Sequence, residues 1–576
     1  MRKRVSSLRL AAVLFTSASL VLTACGQQAA PAKPAEPAKP AAAAPTSAPA
    51  APAKPAEAAK PAEAAKPAEA KPAAPGPEPK AKVAQSGVAT TKAPANKRDL
   101  VVATSADVTD FDPHMSTAVN NITVSFQIFD NLTTRDPDLK LIPQLATEWK
   151  STGDLTWEFK LRPGVKFHNG DPFTSKDVKF SIERTYDPNA KTQVAPNFGT
   201  VDKIETPNDT TVVFTTKKPD PLLPARLAFY GGQIIPEKYF KEVGAEQFNR
   251  KPVGTGVVKF SEWVKDDRLV LEANKDYWGG APDFDKITFK PIPEAAARVA
   301  ALLAGEADII TKLPSDAVQR VESSEKARPE GAFYAGLYVL AVNSKAPPLD
   351  NPKVKQALSL AIDRDAIVKS LWRGQGIVPN GFTAKGDNVG YDEKRPALEF
   401  NLDKAKALLK EAGYNNEPIV IESTQGQLQN DRQMSEAIVE MWKKAGINAS
   451  MEIIEASVRA QKVTQKTFKG LWWSDPTSTL QDPDGMMYRL LGPGGSQDYW
   501  RDPEGWDKLG DQARFSLDQK LRHENYMKMQ DIMLINFPWV PIVQPIESYG
   551  VAKYLNWRPN PNQLFQLRKE VLTINR

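Results

Sequence analysis

The sequence predicts an α/β protein whose folded body contains two or three subdomains. Residues 155–162 alternate apolar with polar side chains, and this period of two is typical of a half-buried strand. Residues 351–362 open with Asn-Pro, a helix cap followed by a first-turn proline, and then repeat apolar residues at helical spacing. The body from residue 99 to residue 576 has 478 residues (576 less 98), which is too many for one compact core.

Residues 1–24 have the three parts of an export signal peptide. Four basic residues lie within the first nine, an apolar stretch covers 10–22, and small residues follow. The apolar stretch is shorter than the roughly 20 residues that a membrane-spanning helix needs. Residues 22–25, Leu-Thr-Ala-Cys, resemble the lipobox of bacterial lipoproteins, in which the cysteine sulfur receives a diacylglycerol. We therefore predict lipidation of Cys25 and an extracytoplasmic protein anchored to a bacterial membrane, in the periplasm or at the cell surface.

Residues 25–98 form a predicted linker between the lipidated cysteine and the body. Beyond Cys25, which is the only cysteine of the chain, the composition narrows to Ala, Pro, Lys and Glu, with a six-residue repeat at Lys54 and Lys60. Such a stretch buries too little apolar surface to offset the entropy of ordering, so we expect a disordered, extended spacer. The alternative is a wall-binding tail whose lysines pair with anionic polymers.

The positive net charge of the chain lies outside the predicted body. The signal peptide carries +4, and residues 26–98 carry ten lysines, one arginine and five glutamates, which gives +6. Because the whole chain is +6, the body from residue 99 onward is 6 − 10 = −4. Nucleic-acid binding needs a basic patch within the folded part, so we expect no nucleic-acid partner.

The body opens with predicted strands and a capped helix. Residues 100–104 are a short apolar run that indicates a buried strand. The alternation in 155–162 predicts that its four apolar residues, which begin with Leu155, share one face of a sheet. Thr174 is positioned to cap a helix, with Asp177 three residues later completing a capping box.

Five stretches of the body match a family pattern in their residues and in their order. They are Trp149 with 155–170, Phe173-Thr174 with Asp177-Val178, Tyr277-Trp278-Gly279-Gly280 before 300–309, Val342-Asn343 before Ala361-Ile362-Asp363-Arg364, and 403–414, which ends in Leu-Leu-Lys-Glu-Ala-Gly-Tyr. Together they resemble the extracellular solute-binding proteins of family 5, the peptide-type substrate-binding proteins of ABC importers. The resemblance covers essentially all of residues 99–576.

The resemblance implies a two-lobed periplasmic-binding-protein fold of the type II-like, peptide-binding cluster, with the ligand enclosed between the lobes. Lobe I is expected at 99–340, with an extra subdomain at about 120–260, and lobe II at 341–543. Residues 544–576 are expected to return to lobe I. The two chain crossings are expected near 337–343 and near 540–545.

The same resemblance implies a receptor and not an enzyme. We expect a monomer without a cofactor, which passes a small-molecule or peptide ligand to the permease subunits of an ABC transporter. The different-class alternative is an extracytoplasmic hydrolase, but the sequence has neither a Gly-x-Ser-x-Gly elbow nor a phosphate-binding loop.

The three histidines do not have the spacing of a metal site. His114, His168 and His523 are widely separated, and the chain lacks a His-x-x-x-His motif. His168 lies in a predicted hairpin turn and is interpreted as structural. His114 follows a turn that approaches the cleft in the family, so we consider it a candidate ligand contact.

The strongest candidate for the binding site is the run Trp472-Trp473-Ser474-Asp475. In peptide-binding members of the family, a Trp-x-x-Asp pattern in this region lines the pocket, and its aspartate pairs with the peptide α-ammonium. Trp472 and Asp475 match that spacing, and Trp473 lies between them. The alternative is that both tryptophans are core residues and Asp475 caps a turn before Pro476.

The ligand class stays open at this point, because the loop that follows departs from the family pattern. Six residues separate Asp475 from Asp482, a longer spacing than is usual in the family. An oligopeptide is the leading ligand. An oligosaccharide bound on tryptophan platforms is the first alternative, and a nickel complex with His114 as a ligand is the second.

Overall fold

The computed structural model describes residues 83, 85–387, 389–424, 426–478, 480–500, 505–562 and 564–576. The signal peptide, Cys25 and the linker up to residue 82 lie outside the described residues, so the predictions of lipidation and of an extended spacer there stay predictions. The prediction of a disordered linker up to residue 98 is wrong at its end, because residues 87–93 pack on the body: the Gly87 N–H donates to Glu330, and the Thr90 N–H donates to the Lys553 carbonyl. None of the helices in the described ranges combines the length and apolar character that crossing a bilayer requires.

The first sheet is built from distant parts of the chain. Its seven described strands are, in spatial order, Ala327–Phe333, Ile546–Ala552, Ile309–Ile310, Asp99–Thr104, Lys286–Pro291, Arg268–Ala273 and Val258–Val264. The strand Asp99–Thr104 confirms the predicted apolar run, and it pairs in parallel with its neighbours on both sides. Val102 and Ile309 are fully buried, so this strand anchors the core of the first lobe.

A second, four-stranded antiparallel sheet stands beside the first. Its described strands are, in spatial order, Ala146–Gly153, Thr156–Leu161, Thr211–Thr216 and Val201–Asn208. Phe159 and Leu161 are buried, as the alternation predicts. Leu155 is different, because it precedes the strand and is 39% exposed. The capping box is confirmed: the Thr174 hydroxyl caps the helix Ser175–Tyr186, and Asp177 accepts a bond from the Thr174 backbone N–H.

The third sheet forms the core of the second lobe. Its five described strands are, in spatial order, Ala449–Ile453, Ile419–Ser423, Leu471–Ser474, Tyr338–Val342 and Trp539–Val543. Two predicted helices pack in this lobe, Pro352–Leu360 and Leu402–Glu411, and the side chains of Asn351 and Asn401 cap their first turns. The second lobe is therefore a mixed sheet with helices against it, as an α/β protein requires.

The remaining helices connect the strands of the three sheets. In lobe I and its subdomain they are Val119–Ile128, Leu223–Arg226, Glu237–Arg250, Ala295–Ala304 and Val318–Glu322, with 3₁₀ turns at Ala195–Phe198 and Ser315–Ala317. In lobe II they are Arg364–Leu371, Asp431–Lys444, Ala456–Gln465, Arg489–Leu491, Trp506–Arg514 and Gln519–Asn536, with a π-helical turn at Asp484–Tyr488. The lobe I side also contains two short antiparallel strand pairs. One joins Thr133–Arg135 with Leu141–Pro143, and the other joins Leu555–Asn556 with Thr573–Ile574.

The chain passes between the first and third sheets at residues 334–337 and again at residues 544–545. The two passes touch, because the Gln544 side-chain amide donates a hydrogen bond to the Tyr334 carbonyl at 2.9 Å. The resemblance predicts the first pass near 337–343, whereas residues 338–342 are a buried strand of the third sheet. We propose these two passes as the boundaries between lobe I and lobe II and as the hinge between them.

Candidate functional site

A cleft between the two lobes contains two neighbouring chambers. The small chamber has a volume of about 110 Å³ and is lined by Thr104, Lys312 and Glu547 from lobe I and by Tyr338 and Asp475 from lobe II. The large chamber has a volume of about 300 Å³. Its walls include Tyr230 and Asn562 from lobe I and Arg459, Trp472, Asp475 and Arg489 from lobe II. Val119 and Asp475 line both chambers, so Asp475 lies where the chambers meet.

Asp475 is placed there by the central strand that precedes it. Leu471–Ser474 is fully buried and pairs with the first strand of lobe II, so the residue after it leaves the sheet at the cleft. The Tyr334 hydroxyl, from the first interlobe pass, donates to the Asp475 backbone carbonyl at 3.2 Å. The first interlobe pass therefore holds the backbone of Asp475, which lines both chambers.

The Asp475 carboxylate is largely enclosed by protein but lacks a direct partner among the other described residues. No hydrogen bond or ion pair to another described residue engages its side-chain oxygens. Burial raises the pKa of Asp475 above its ordinary value, and the positive charges of Arg459 and Lys312 oppose this rise only in part. The side chain keeps partial exposure to the cleft. A desolvated carboxylate with an open side is arranged to accept a cation.

The two neighbouring tryptophans point to opposite faces of the strand, as period-two geometry requires. Trp472 lines the large chamber and stacks on Phe468, with ring centroids 4.3 Å apart and an interplanar angle of 8°. Trp473 lies in the core of lobe II, where its indole N–H donates to the Ser435 hydroxyl at 2.7 Å. The structure thus brings Trp472 and Asp475 together at the cleft and leaves Trp473 outside both chambers.

His114 lines neither chamber, in contrast to the expectation of a ligand contact. Its ring is fully buried, and both nitrogens are engaged. Arg184 donates to Nδ1 at 2.9 Å, so the proton lies on Nε2, which donates to the Gln233 carbonyl at 3.0 Å. Burial lowers the pKa of His114 to about 4, so the ring is neutral at pH 7. The His168 ring also bonds to the backbone, with Nε2 3.0 Å from the Gly256 carbonyl. This geometry agrees with the interpretation of His168 as a structural residue.

Several charged residues of the cleft were not predicted from the sequence. Lys312 and Glu547 reach the small chamber from lobe I, and Arg459 and Arg489 reach the large chamber from lobe II. Arg459 belongs to a helix, Ala456–Gln465, that has no buried residue, so its sequence gives the pattern of an ordinary surface helix. Only the topology reveals that this helix borders the cleft.

The loop that departs from the family pattern forms a buried ion-pair connection between the lobes. Arg226, on the lobe I side, donates to Asp484 of lobe II at 2.7 Å and to Asp220 at 3.2 Å. Arg514 donates to the second oxygen of Asp484 at 2.5 Å. Arg522 pairs with Asp482 within lobe II. The Arg226 contact therefore holds Asp484 against the lobe I side, and Arg514 and Arg522 fix the loop from within lobe II.

Comparisons with known proteins identify the family. The model of the bacterial extracellular solute-binding proteins, family 5 (middle region), matches residues 140–498, which is more than half of the chain. The glutathione-binding protein GsiB of Pectobacterium atrosepticum is 27% identical over 83% of this chain and 94% of its own. The heme-binding protein A of Haemophilus influenzae is 28% identical over 70% and 79%, respectively.

Solved structures agree with this assignment. The ABC transporter-associated periplasmic binding protein DppA of Helicobacter pylori, in complex with the peptide STSA, has a TM-score of 0.74 and 26% identity, over 83% of this chain and 98% of its own. The oligopeptide-binding protein AppA of Bacillus subtilis, in complex with a nonapeptide, has a TM-score of 0.73 and 25% identity, over 83% and 99%. These are two-lobed binding proteins and not enzymes. The chain belongs to the bacterial extracellular solute-binding proteins of family 5, the substrate-binding components of ABC importers.

Proposed function

We propose that this protein captures a small solute, most specifically a peptide with a free N-terminus, by closing its two lobes and then delivers the solute to an ABC permease. The observation that carries the proposal is the Asp475 carboxylate, which lies desolvated at the meeting point of the two chambers without a hydrogen-bond partner among the other described residues. In the bound state the ligand supplies the missing positive charge.

A peptide ammonium has the chemistry that this position needs. A buried charge is costly unless it is paired and hydrogen-bonded, and an ammonium donates charge-assisted hydrogen bonds to a carboxylate. Glu547 adds a second acidic group to the small chamber. The peptide complex of the Helicobacter pylori relative and the glutathione-binding relative support a ligand that carries an amino group.

The two alternative ligands have less support from the cleft. An oligosaccharide platform needs an accessible aromatic face, whereas Trp472 is 2% exposed and one of its faces stacks on Phe468. A nickel complex held by His114 needs a free ring nitrogen, and both nitrogens of that ring are engaged inside lobe I. Both observations therefore weaken an alternative ligand and leave the proposed pairing of Asp475 with an ammonium unaffected.

The ligand test starts from the protein as it is purified. Native mass spectrometry of the full chain should show an added mass that matches a short peptide, and incubation with a peptide mixture should give stoichiometric retention without cleavage. Cleavage of the mixture would contradict a receptor. A retained sugar or metal complex, with no peptide retained, would contradict the peptide assignment while leaving the receptor role intact.

We also propose that the receptor is a lipid-anchored monomer. The Leu-Thr-Ala-Cys sequence at 22–25 supports the anchor, although Cys25 lies outside the described residues. Cys25→Ala should move the protein from the detergent phase to the aqueous phase in detergent partitioning, because diacylglycerol attachment is lost. Unchanged partitioning of this variant would contradict the anchor.

A further inference from the structure

The first described residues of the chain cross from lobe I to lobe II beside the two interlobe passes. Val83 and residues 85–98 are called the N-terminal arm, which leads directly into the first strand of lobe I. Residues 87–93 of the arm hydrogen-bond to lobe I. At the other end, the Val83 N–H donates at 2.9 Å to the side chain of Gln375, which follows the lobe II helix Arg364–Leu371. The arm therefore joins the two lobes.

Two glycines allow the arm to lie close to the body. A Cβ on Gly331 would come within 2.5 Å of the Val83 side chain, so Val83 occupies space that a larger residue on this lobe I strand would fill. Gly87 has a φ of 65°, and a Cβ on it would lie 2.8 Å from the Cβ of Arg558. Residues other than glycine rarely adopt this backbone conformation. Both sides of the contact are therefore shaped for close packing.

Buried groups hold the arm in place. Val83 is 8% exposed, whereas Val88 is 58% exposed. The Gly87 N–H donates at 3.1 Å to the carboxylate of Glu330, which is fully buried and pairs with Arg328 at 2.8 Å. Burial of a valine side chain and a hydrogen bond to a buried carboxylate both favour the docked arm.

The docked end of the arm lies where the chain passes between the lobes. Gly331 is two residues before the end of the strand Ala327–Phe333, from which the first pass begins. A Cβ on Gly331 would also lie 2.9 Å from Ile546, the first residue after the second pass. Rotation of the lobes about the two passes would move Gln375 relative to the lobe I surface that holds residues 87–93, and would stretch the contact with Val83.

We propose that the N-terminal arm is a clamp that stabilises the arrangement in which the two lobes touch. In this arrangement Arg226 of lobe I contacts Asp484 of lobe II at 2.7 Å, and Val83 contacts Gln375. Release of Val83 removes one contact between the lobes and shifts the equilibrium toward separated lobes. The inference rests on the proposed hinge closure and adds a regulatory element to it. Because Val83 follows the linker in the sequence, the linker joins the body at this clamp.

The main test measures the lobe arrangement without a ligand. The full chain with Cys25→Ala has no other cysteine, so spin labels can be attached at Glu246→Cys of lobe I and Glu440→Cys of lobe II, which are both exposed positions. Pulsed electron paramagnetic resonance then gives the distance between the lobes. Val83→Asp places a charge in the buried contact and should raise the ratio of separated to touching lobes by about fivefold or more, the lower end of typical coupling between sites.

A matched control separates the clamp from a change of charge in the arm. Val88→Asp makes the same chemical change at an exposed residue of the same arm and should leave the distance distribution unchanged. Gln375→Met removes the acceptor from the lobe II side and should shift the distribution in the same direction as Val83→Asp. Circular dichroism shows whether each variant has folded, and the two clamp variants give independent readings because they act from different ends of the contact.

Titration calorimetry with trialanine separates the clamp from the peptide assignment. If trialanine binds the touching lobes, Val83→Asp should weaken its binding by up to the same ratio, and Val88→Asp should leave it unchanged. A shifted distance distribution, with trialanine binding to none of the proteins, would support the clamp and contradict the peptide ligand alone. Distance distributions of Val83→Asp and Gln375→Met that equal the wild-type distribution, or an equal shift in Val88→Asp, would overturn the clamp.

Discussion

Asp475 and Asp484 lie nine residues apart on one segment of lobe II, yet their surroundings are opposite. Asp484 is fully buried and accepts from Arg226 at 2.7 Å and from Arg514 at 2.5 Å. Asp475 has charges nearby but no direct partner among the other described residues. Burial raises the pKa of both carboxyls; at Asp484 the two guanidiniums reverse this and lower the pKa, whereas at Asp475 it stays raised.

Asp484 is a structural aspartate, whereas we propose that Asp475 is kept ready for a ligand. A satisfied buried ion pair fixes one arrangement of the lobes, because removing one partner leaves a buried charge without compensation. An unsatisfied carboxylate reduces the stability of the empty protein, and a bound cation recovers that loss as binding free energy. Substitutions at the two positions should therefore act on different quantities.

The largest effect is expected at the interlobe ion pair. Asp484→Asn keeps the shape of the side chain but removes the counter-charge of the half-buried Arg514 and one of the two counter-charges of the buried Arg226, which keeps Asp220. The free energy of unfolding should fall by about 3–5 kcal/mol, measured by urea denaturation. As a control, Asp531→Asn removes an exposed partner of Arg395 and should change stability by less than about 1 kcal/mol. Equal effects of the two substitutions would contradict a special role of the buried pair.

The second effect is on binding and not on stability. Asp475→Asn should weaken the binding of trialanine by about 30-fold or more, because one partner of a desolvated charge pair is lost. The ligand-free variant should be at least as stable as the wild type, since an unpaired buried charge has been removed. Titration calorimetry and urea denaturation of the same preparation measure both quantities. If Asp475→Asn lowers the free energy of unfolding but keeps its affinity for trialanine, Asp475 is a structural residue like Asp484.

A smaller, pH-dependent effect is expected at a third buried aspartate. Burial and the nearby charge of Asp482 raise the pKa of Asp387 to about 6. Because this folded-state pKa lies above the ordinary value of 3.8, the ionised group reduces stability above pH 6, and stability increases as the pH falls through 6 toward 4.

This pH dependence should disappear in Asp387→Asn. Relative to the variant, the wild-type protein should gain about 1 kcal/mol between pH 7 and pH 5, measured by urea denaturation at each pH. A wild-type protein that instead loses stability against the variant over this range would show that the Asp387 carboxylate is stabilised in its charged form, in the manner of Asp484.

Local patterns predicted much of the fold. The strand at Asp99–Thr104, the capping box at Thr174 and the cap at Asn351 depend on neighbouring residues and were predicted correctly. Leu155 was wrongly placed on the buried face, because the strand begins one residue later, after a turn. The first interlobe pass ends where residues 338–342 pair with other strands of the third sheet. Such pairing between distant strands cannot be predicted from the apolar and polar pattern of one segment.

The candidate site was predictable only where one short segment carries it. Trp472 and Asp475 are close in sequence and reach the cleft together, whereas Trp473 faces the core because adjacent strand residues point to opposite sides. Arg459 and Asn562 lie far apart in the sequence and line the same chamber only because the two lobes face each other across it. His114 follows a turn that the resemblance places near the cleft, but its ring nitrogens bond to Arg184 and the Gln233 carbonyl, and it lines neither chamber.

The most direct test of the role of Asp475 is a thermodynamic cycle with trialanine and N-acetyl-trialanine, titrated by calorimetry into the wild-type protein and Asp475→Asn. If Asp475 binds the ammonium, acetylation should weaken wild-type binding by about 30-fold or more and weaken binding to the variant little further, because the same interaction is already absent. Trp472→Ala should weaken both peptides alike, since it removes apolar contact and keeps the charge. Additive losses from acetylation and Asp475→Asn would show that this carboxylate does not bind the ammonium.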